Sequence, residues 1–250
     1  MHALSVVIPV YDEVPRLDAG LAGLRDLRAV WPGPVRALFV DDGSRDGTAD
    51  ALAARLGPDD ALLREPHRGK GGALRAGVTA APPADWLLLT DVDWSVPPRE
   101  VLRLHEASLR GTGADVAIAV REGPGARRVG EPVWRHLVGR AFNLLVQGWV
   151  LAGHADTQCG FKLLRADVAR ELFARTTLEG WAIDVELLAL AHAGGHPVVE
   201  VPVTWRFEPD SRVRVAGDAL RTAREVWAVR WRWRTGGYRS RHTRRSPTVV

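Results

Sequence analysis

Leu4-Ser-Val-Val-Ile-Pro-Val10 is an apolar run of strand length, and Arg36-Ala-Leu-Phe-Val-Asp41 is a second one further along the chain. Between them, in the segment 15–31, leucines recur at positions 17, 21, 24 and 27. This spacing places the four leucines on one face of an α-helix. A strand, a helix and a strand in this order predict two parallel strands joined by a helical crossover.

The same alternation continues through the first half of the chain. Helical patterns cover residues 46–56 and 70–80, and another helix begins near Pro97-Pro98, since proline is tolerated in a first turn. Strand patterns occur at 61–64, Trp86–Thr90 and Asp115–Val120. Together they predict an α/β fold with a mostly parallel, twisted sheet and helices on both faces.

The second half of the chain is richer in helix. Helical patterns lie at 132–151, 165–174, 183–193 and 216–233, and a late strand lies at 198–205. No linker or internal repeat divides the chain, so we predict a single domain over residues 1–235, in two halves, 1–122 and 123–235. Residues 236–250 are basic and are expected to form a disordered tail.

The composition is that of a folded cytoplasmic protein. Hydrophobic residues make up 46% of the 250 residues and charged residues 26%. Cys159 is the only cysteine, so no disulfide can form within the chain, which suits a reducing compartment. No signal peptide precedes the first strand. The segment 141–153 is apolar, but Asn143 and Gln147 interrupt it and it is too short to span a bilayer.

The net charge of +4 is unevenly distributed. From Arg224 to the C-terminus there are eight Arg and one Glu, so this part carries +7 and the rest of the chain −3. The same region contains Trp227, Trp231 and Trp233. Tryptophan favours the membrane interface and arginine favours anionic headgroups. This helix therefore either binds an anionic membrane surface, at the inner face of the cell membrane, or packs its tryptophans on the domain.

Polar side chains follow the predicted strands where each one ends. Tyr11 and Glu13 follow the first strand, Asp41 ends the second, Asp91 follows the fourth and Arg121 follows the fifth. Ligands of parallel sheets bind beyond the carboxyl ends of the strands. We therefore expect one functional site at this edge. Binding of nucleic acid is not expected, because the acidic edge repels phosphate unless a metal ion is bound.

Asp91 and Asp93 are separated by one residue at the end of a strand, so their side chains point the same way. Two carboxylates on one side suit a hard cation, Mg²⁺ or Mn²⁺, which usually keeps substrate phosphates among its ligands. We expect a metal site here.

Two further segments at this edge have alternative interpretations. His67-Arg-Gly-Lys-Gly-Gly72 offers backbone N–H groups and positive charge at a helix start, which suits phosphate, although it can also be a surface turn. It has neither P-loop spacing nor the dinucleotide fingerprint. In the segment 41–48, Asp42, Ser44 and Asp46 suit a turn and a helix cap, whereas Asp41 suits ligand contact.

The combination of motifs resembles family 2 glycosyltransferases with the GT-A fold. The first-half segments are Val6-Val-Ile-Pro-Val-Tyr-Asp-Glu13, Val40-Asp-Asp-Gly-Ser-Arg-Asp-Gly-Thr48, Gly69-Lys-Gly-Gly-Ala73 and Thr90-Asp-Val-Asp93. In the second half, the region 135–146, Asp156-Thr-Gln-Cys-Gly-Phe-Lys162 and Gly180-Trp-Ala-Ile-Asp-Val-Glu186 resemble the polyprenyl-phosphate hexosyltransferases of the dolichyl-phosphate β-glucosyltransferase branch. The resemblance extends over about residues 4–215.

The resemblance implies a metal-dependent, inverting hexosyltransferase that takes a nucleotide sugar, with UDP-glucose favoured, and a polyprenyl phosphate acceptor. Residues 1–122 would bind the donor and 123–235 the acceptor. The catalytic set would be Asp93, Asp156 and Arg121, with Asp91 and Asp93 on the metal. Pro9, Tyr11, Glu13, Asp41, Lys70 and Asp91 would bind the nucleotide, and Arg135, Arg140, Gln158, Lys162 and Asp184 the acceptor.

The acidic motif departs from the family pattern at one position. Trp94 stands where leucine is usual in the acidic motif, and we expect its bulk near the sugar. A lipid phosphate needs arginines for positioning rather than a base. If the acceptor is instead a soluble saccharide or small molecule, its hydroxyl needs a carboxylate base, for which Asp156 and Asp184 are the candidates.

Overall fold

The computed structural model describes residues 1–111, 113–134, 136, 139–140, 153–208 and 215–238. The strands are β1 (Leu4–Val10), β2 (Val35–Asp41), β3 (Asp60–Arg64), β4 (Trp86–Leu89), β5 (Val116–Val120), β6 (Arg127–Val129), β7 (Lys162–Arg165), β8 (Val198–Pro202) and β9 (Thr204–Arg206). The helices are α1 (Leu17–Val30), α2 (Thr48–Ala53), α3 (Lys70–Ala80), α4 (Glu100–Leu109), α5 (Ala166–Phe173), α6 (Ile183–Gly194) and α7 (Val215–Arg234).

The main sheet has seven strands in the order β3-β2-β1-β4-β7-β5-β8. Strand β1 lies between β2 and β4 and pairs in parallel with both. Strand β5 pairs in parallel with β8. Because the parallel strands end at one edge, the loops that follow β1, β2 and β4 come together there. The prediction of an α/β fold with a mostly parallel sheet is confirmed.

Side chains alternate between two apolar layers, one on each face of the sheet. On β1, Val7 belongs to the layer under α3, α5, α6 and α7, whereas Val6 and Ile8 belong to the layer under α1 and α4. Alternation of this kind is the expected pattern for a strand that is covered on both faces. The predicted arrangement of helices on both faces is confirmed.

Strand β7 was not predicted, and it runs antiparallel between β4 and β5. Its four residues, Lys162-Leu-Leu-Arg165, include only two apolar positions, which are too few to show a period that distinguishes a strand from a helix. The helix predicted from Arg165 instead begins at Ala166, because Arg165 is the last residue of β7.

The late strand predicted at 198–205 is two strands in different sheets. Strand β8 completes the main sheet and ends at Pro202, while β9 pairs with β6 in a small two-stranded sheet. Proline cannot donate to a ladder, so the strand ends there. The predicted helix at 132–151 falls largely outside the described residues.

The C-terminal end of the described chain belongs to the packed body. Tyr238, placed in the basic tail by the sequence analysis, is 3% exposed and lies in the apolar layer under α7. Residues 239–250 lie outside the described residues. Within the part of the chain that the structure describes, no helix has the length and apolar character needed to cross a bilayer.

Candidate active site

The acidic segment after β4 shows the predicted alternation. Val92, Trp94 and Val96 are buried, whereas Asp91, Asp93 and Ser95 are partly exposed. The backbone N–H of Ser95 donates to Asp93 Oδ1 at 3.0 Å. The two carboxylates therefore share one side of the segment, at the edge where the parallel strands end.

The bulky Trp94, which was expected near the sugar, is 8% exposed and packs against α1. Its indole Nε1 donates to the carbonyl of Gly20 at 2.9 Å, and its ring occupies the space beside Gly23, where a methyl group would overlap it. Trp94 has a positive φ of 47°, a strained conformation for a large residue. Gly23 of α1 thus leaves room for the Trp94 ring, and Gly20 leaves room for Val92.

Lys70, at the start of α3, contacts the acidic pair directly. Its Nζ lies 2.8 Å from Asp91 Oδ1. Gly160 lies against the other oxygen of the same carboxylate, because a methyl group there would overlap Asp91 Oδ2. The Gly-rich turn, the acidic pair and the second-half motif around Gly160 therefore converge on one point.

The charges at this point shift the ionisation of both acids. Burial alone would raise the pKa of Asp91, but the positive charges of Lys70, Lys162 and Arg121 keep it below its ordinary value. Burial also raises the pKa of Asp93, and the neighbouring charge of Asp91 adds to this rise. The two carboxylates repel each other, and a cation between them would relieve that repulsion.

The expectation that the Gly-rich turn supplies free N–H groups to phosphate is wrong. The N–H groups of Gly71 and Gly72 donate to the carbonyl of Glu179 at 2.8 and 3.3 Å. The N–H groups of Arg68 and Gly69 donate to the Asp42 carboxylate, both at 2.8 Å. The glycines are needed for close packing, since a methyl group on Gly71 would overlap the neighbouring backbone. Lys70 supplies positive charge, but four N–H groups of the turn are already hydrogen-bonded to Glu179 and Asp42.

The loop after β2 combines a structural part with an unsatisfied carboxylate. Ser44 accepts from the N–H of Asp12 at 2.8 Å, and Asp46 accepts from the N–H of Thr48 at 3.0 Å. These bonds, with those to Asp42, fit the turn-and-cap interpretation. Asp41 is different: it is 4% exposed, and its Oδ1 has no hydrogen-bond partner among the described residues. A buried acceptor without a donor points to a ligand.

Tyr11 and His67 lie next to this carboxylate-bearing loop. Their rings are 4.4 Å apart at an interplanar angle of 30°, and the His67 side chain is half exposed. Glu13 pairs with Arg16 at 2.9 Å, and Pro9 is partly buried in β1 opposite Val40. Four of the six residues predicted to bind the nucleotide thus lie in or directly after β1 and β2, whereas Lys70 and Asp91 pair with each other at the start of α3 and after β4.

Arg121, after β5, is paired with Asp156. Its Nε and Nη2 lie 2.6 and 2.9 Å from the two carboxylate oxygens, and its N–H donates to the same group. Burial opposes the charge on Asp156, but Arg121 and the hydrogen bonds lower its pKa to about 2. Gln158 donates its N–H to Asp156, and its buried Nε2 has no partner among the described residues.

Lys162 and Asp184 form a buried pair beneath the site. Lys162 is 1% exposed, and its Nζ donates to Asp184 Oδ1 and to the carbonyl of Cys159, both at 2.5 Å. The Lys162 ammonium is therefore shared between the Asp184 carboxylate and a backbone carbonyl. Their predicted contact with an acceptor stays a prediction, and their observed contacts are structural.

Of the two arginines predicted for the acceptor, the structure describes only Arg140. Arg140 is half exposed and pairs with Glu122 at 3.2 Å. Arg135 lies outside the described residues.

Trp181, which was not singled out, has its ring centroid 5.5 Å from Lys70 Nζ and is 37% exposed. Its position directly before α6 gave no local signal, because the contact joins residues far apart in the chain.

On α7 the tryptophans face outward. Trp227 and Trp231 are 56% and 59% exposed, and their rings stack with centroids 5.9 Å apart. The inward face carries Val226 and Val229. The alternative in which these two tryptophans pack on the domain is therefore wrong.

The residues present suit a divalent cation that shares its ligands with a substrate. Among the described residues, no three imidazole, thiol or carboxylate side chains come together as a preformed metal site. Asp91 and Asp93 provide two hard oxygen ligands whose mutual repulsion favours a cation. Mg²⁺ and Mn²⁺ commonly complete such a site with phosphate oxygens and water.

Comparisons with known proteins agree with this geometry. Residues 5–173 match the model of the family described as "Glycosyl transferase family 2". The dolichyl-phosphate beta-glucosyltransferase of Homo sapiens is 31% identical over 97% of this chain and 79% of its own length.

Two solved structures share the fold. Glucosyl-3-phosphoglycerate synthase of Mycobacterium tuberculosis, solved with Mn²⁺, UDP and glucosyl-3-phosphoglycerate, is 18% identical, with a TM-score of 0.66 over 92% of this chain and 80% of that chain. Mannosyl-3-phosphoglycerate synthase of Rubrobacter xylanophilus is also 18% identical, with a TM-score of 0.68 over all of this chain and 79% of that one. The family match and the human relative establish that this chain is a member of glycosyl transferase family 2.

Proposed function

We propose that this chain transfers glucose from UDP-glucose to a polyprenyl phosphate, with inversion at the anomeric carbon. The observation that carries the proposal is the convergence of Lys70, Asp91 and Asp93 at the sheet edge, within electrostatic reach of Arg121. Positive charge, together with two carboxylates that can hold a cation, suits a nucleotide sugar, because its leaving group, the nucleoside diphosphate, develops negative charge.

Asp91 and Asp93 would hold a Mg²⁺ or Mn²⁺ ion on the diphosphate. When bound, this cation supplies Lewis-acid stabilisation of the departing nucleoside diphosphate. The Lys70 ammonium already lies beside the acid pair. When the donor is bound, it would move slightly away from Asp91 and contact a phosphate oxygen. The Mn²⁺ and UDP of the mycobacterial structural neighbour support a cation of this kind and a uridine nucleotide.

The nucleotide would lie over the ends of β1 and β2. Asp41 Oδ1 is the buried acceptor without a donor, and an N–H of the base or a hydroxyl of the ribose would satisfy it. Tyr11 and His67 offer ring faces beside it, and Pro9 and Glu13 would line the same side.

The acceptor would approach from the side of Arg121 and Asp156. A phosphate monoester is largely dianionic near neutral pH, because its second pKa is about 6, so its oxygen attacks without a general base. The new bond joins that oxygen to the anomeric carbon, while the bond from this carbon to the diphosphate breaks. Arg121 would orient the phosphate, Asp156 would orient Arg121, and Gln158, Arg140 and Arg135 would lie on the approach.

A polyprenyl acceptor requires the enzyme to reach a membrane surface. We place α7 there, at the inner face of the cell membrane, with Trp227 and Trp231 in the interface and Arg224 and Arg234 toward anionic headgroups. All four side chains are exposed. The dolichyl-phosphate beta-glucosyltransferase relatives support this choice of acceptor.

A soluble phosphorylated acceptor is the second candidate, because both structural neighbours are named for 3-phosphoglycerate products. The test is a transfer screen with UDP-glucose and GDP-mannose, each offered short polyprenyl phosphate or 3-phosphoglycerate. Glucosyl polyprenyl phosphate as the main product supports the proposal. Efficient transfer to 3-phosphoglycerate alone would replace it with the second candidate.

A further inference from the structure

A short segment, 179–182, connects the Gly-rich turn with α7. On one side, the carbonyl of Glu179 accepts from the N–H groups of Gly71 and Gly72. On the other side, the N–H of Ala182 donates to Glu225 Oε2 of α7 at 3.1 Å. The segment is therefore bonded at both ends, to the donor side and to the C-terminal helix.

Glu225 contacts this segment at a second point. A methyl group on Gly180 would overlap both oxygens of the Glu225 carboxylate, so the carboxylate lies directly against that glycine. The Glu225 side chain is only 13% exposed, and it also pairs with Arg221, one turn earlier on α7, at 3.4 Å. The largely buried Glu225 carboxylate thus contacts the backbone of the segment at both Gly180 and Ala182.

Trp181 lies between these two points and beside Lys70. Its ring centroid is 5.5 Å from Lys70 Nζ, and the same ammonium lies 2.8 Å from Asp91 Oδ1. An ammonium over an indole face is attracted to the ring, most strongly where water is excluded. The Lys70 side chain is only 11% exposed, so its ammonium is largely shielded from water beside the ring.

We infer that Trp181 and Glu225 are positioning residues for the donor site. Glu225 fixes the backbone at Gly180 and Ala182, this fixes the Trp181 ring, and the ring keeps the Lys70 ammonium at the phosphate position. The inference rests on the proposed function, because it assigns Lys70 to the donor diphosphate. It adds a role for α7 in donor binding that is separate from its outward tryptophans.

Two substitutions separate positioning from folding. Gly180→Ala keeps the Glu225 carboxylate but displaces it, and Gly180 has no positive φ that alanine would strain. Trp181→Phe keeps a ring face beside Lys70, whereas Trp181→Ala removes it. If positioning is the role, Gly180→Ala should behave like Glu225→Gln, and Trp181→Phe should retain most of what Trp181→Ala loses.

The experiment is calorimetric titration of the full chain with UDP and GDP in the presence of Mn²⁺, together with steady-state transfer and melting temperatures. We expect Trp181→Ala, Glu225→Gln and Gly180→Ala to weaken binding of the preferred nucleotide about 3- to 10-fold, the size of a partly desolvated cation–π contact. KM for the donor should rise by the same factor, and kcat should change less than about twofold. Glu171→Gln, on α5 with its side chain 53% exposed, is the control and should change neither value.

The outcomes distinguish the two levels of the proposal. If the unaltered chain binds neither UDP nor GDP, the proposed function fails and the inference fails with it. If the unaltered chain binds one of them and the three variants bind it equally well, the inference alone is overturned. A loss of kcat with unchanged KM, or losses that merely follow a lower melting temperature, would also overturn it.

Discussion

Lys70 Nζ lies 2.8 Å from Asp91 Oδ1, which joins the start of α3 to the acidic segment after β4. Burial disfavours the ammonium, but the charges of Asp91 and Asp184 keep the pKa of Lys70 above its ordinary value. Lys70 is therefore positively charged throughout the pH range in which an enzyme of this kind works. The contact places a permanent cation beside the two carboxylates that we assign to a metal ion.

Replacing Lys70 with glutamine should lower kcat/KM for the nucleotide sugar about 10- to 100-fold, because a hydrogen bond to a charged group is worth about 1.5–3 kcal/mol. Steady-state transfer kinetics measure this change. Arg64→Gln is the control, since that side chain is half exposed at the end of β3 and pairs with Asp50. An unaltered kcat/KM in Lys70→Gln would show that the ammonium does not contact the donor.

The substitution Asp41→Ala should weaken nucleotide binding about 10-fold, because the ligand loses a hydrogen bond to a charged group. The rate of the bound complex should change less, since the base lies far from the bond that breaks. Calorimetry with UDP and GDP tests the affinity, and Asp18→Ala, at an 87% exposed side chain, is the matched control. If Asp41→Ala binds UDP and GDP as tightly as the unaltered chain does, Asp41 does not contact the nucleotide.

Asp156→Asn should destabilise the fold by about 3 kcal/mol, because it leaves the buried Arg121 charge poorly paired. For a domain of this size, that corresponds to a fall in Tm of about 6–12 °C. Thermal unfolding at neutral pH measures it, and Glu106→Gln, in an exposed pair, should change Tm little. A Tm fall no larger than in the control would mean that the pair adds no stability.

The same pair has a defined pH dependence. The folded-state pKa of Asp156 is about 2, below the ordinary value of 3.8. Its contribution to the free energy of unfolding is thus fully present above about pH 4 and is lost as the pH falls from there through about 2. Unfolding measured between pH 5 and 2 should show the difference between the unaltered chain and Asp156→Asn shrinking. A difference that stays constant over this range would contradict the lowered pKa.

The double substitution of Trp227 and Trp231 by serine should reduce binding to anionic liposomes about 10-fold or more, since each exposed aromatic side chain contributes about 1.5–3 kcal/mol when buried. The remaining binding should still fall with salt, because the arginines of α7 are unchanged. Leu109→Ser, at an exposed apolar position on α4, serves as the control. Liposome binding that the double substitution leaves intact would exclude α7 as the docking surface.

Local patterns predicted most of the fold and the acidic centre, and they failed where distant residues meet. The alternation of apolar runs and leucine spacing was sufficient for β1, α1 and β2, and the spacing of Asp91 and Asp93 was sufficient to place both carboxylates on one side. Nothing local indicates that the N–H groups of Gly71 and Gly72 are used by Glu179, because that contact joins segments far apart in the chain.

The same limit explains the two other differences. Strand β7 is short and has only two apolar positions, so it carries no alternation that marks it as a strand. Trp94 was expected near the sugar because of its position in the acidic motif, but its indole donates to the Gly20 carbonyl and its ring fills the space beside Gly23, both on α1. Packing partners of this kind are visible only after the chain is folded.

The central claim is that Asp91 and Asp93 bind a divalent ion for transfer of glucose to a polyprenyl phosphate. The most direct measurement is transfer from radiolabelled UDP-glucose to a short polyprenyl phosphate by the full chain, with Mn²⁺ and with excess EDTA, beside Asp93→Asn with an unchanged Tm. We predict labelled lipid product with Mn²⁺, its loss in EDTA with recovery when Mn²⁺ is restored, and a rate at least about 100-fold lower in Asp93→Asn. Full transfer in EDTA, or full activity of Asp93→Asn, would contradict the claim.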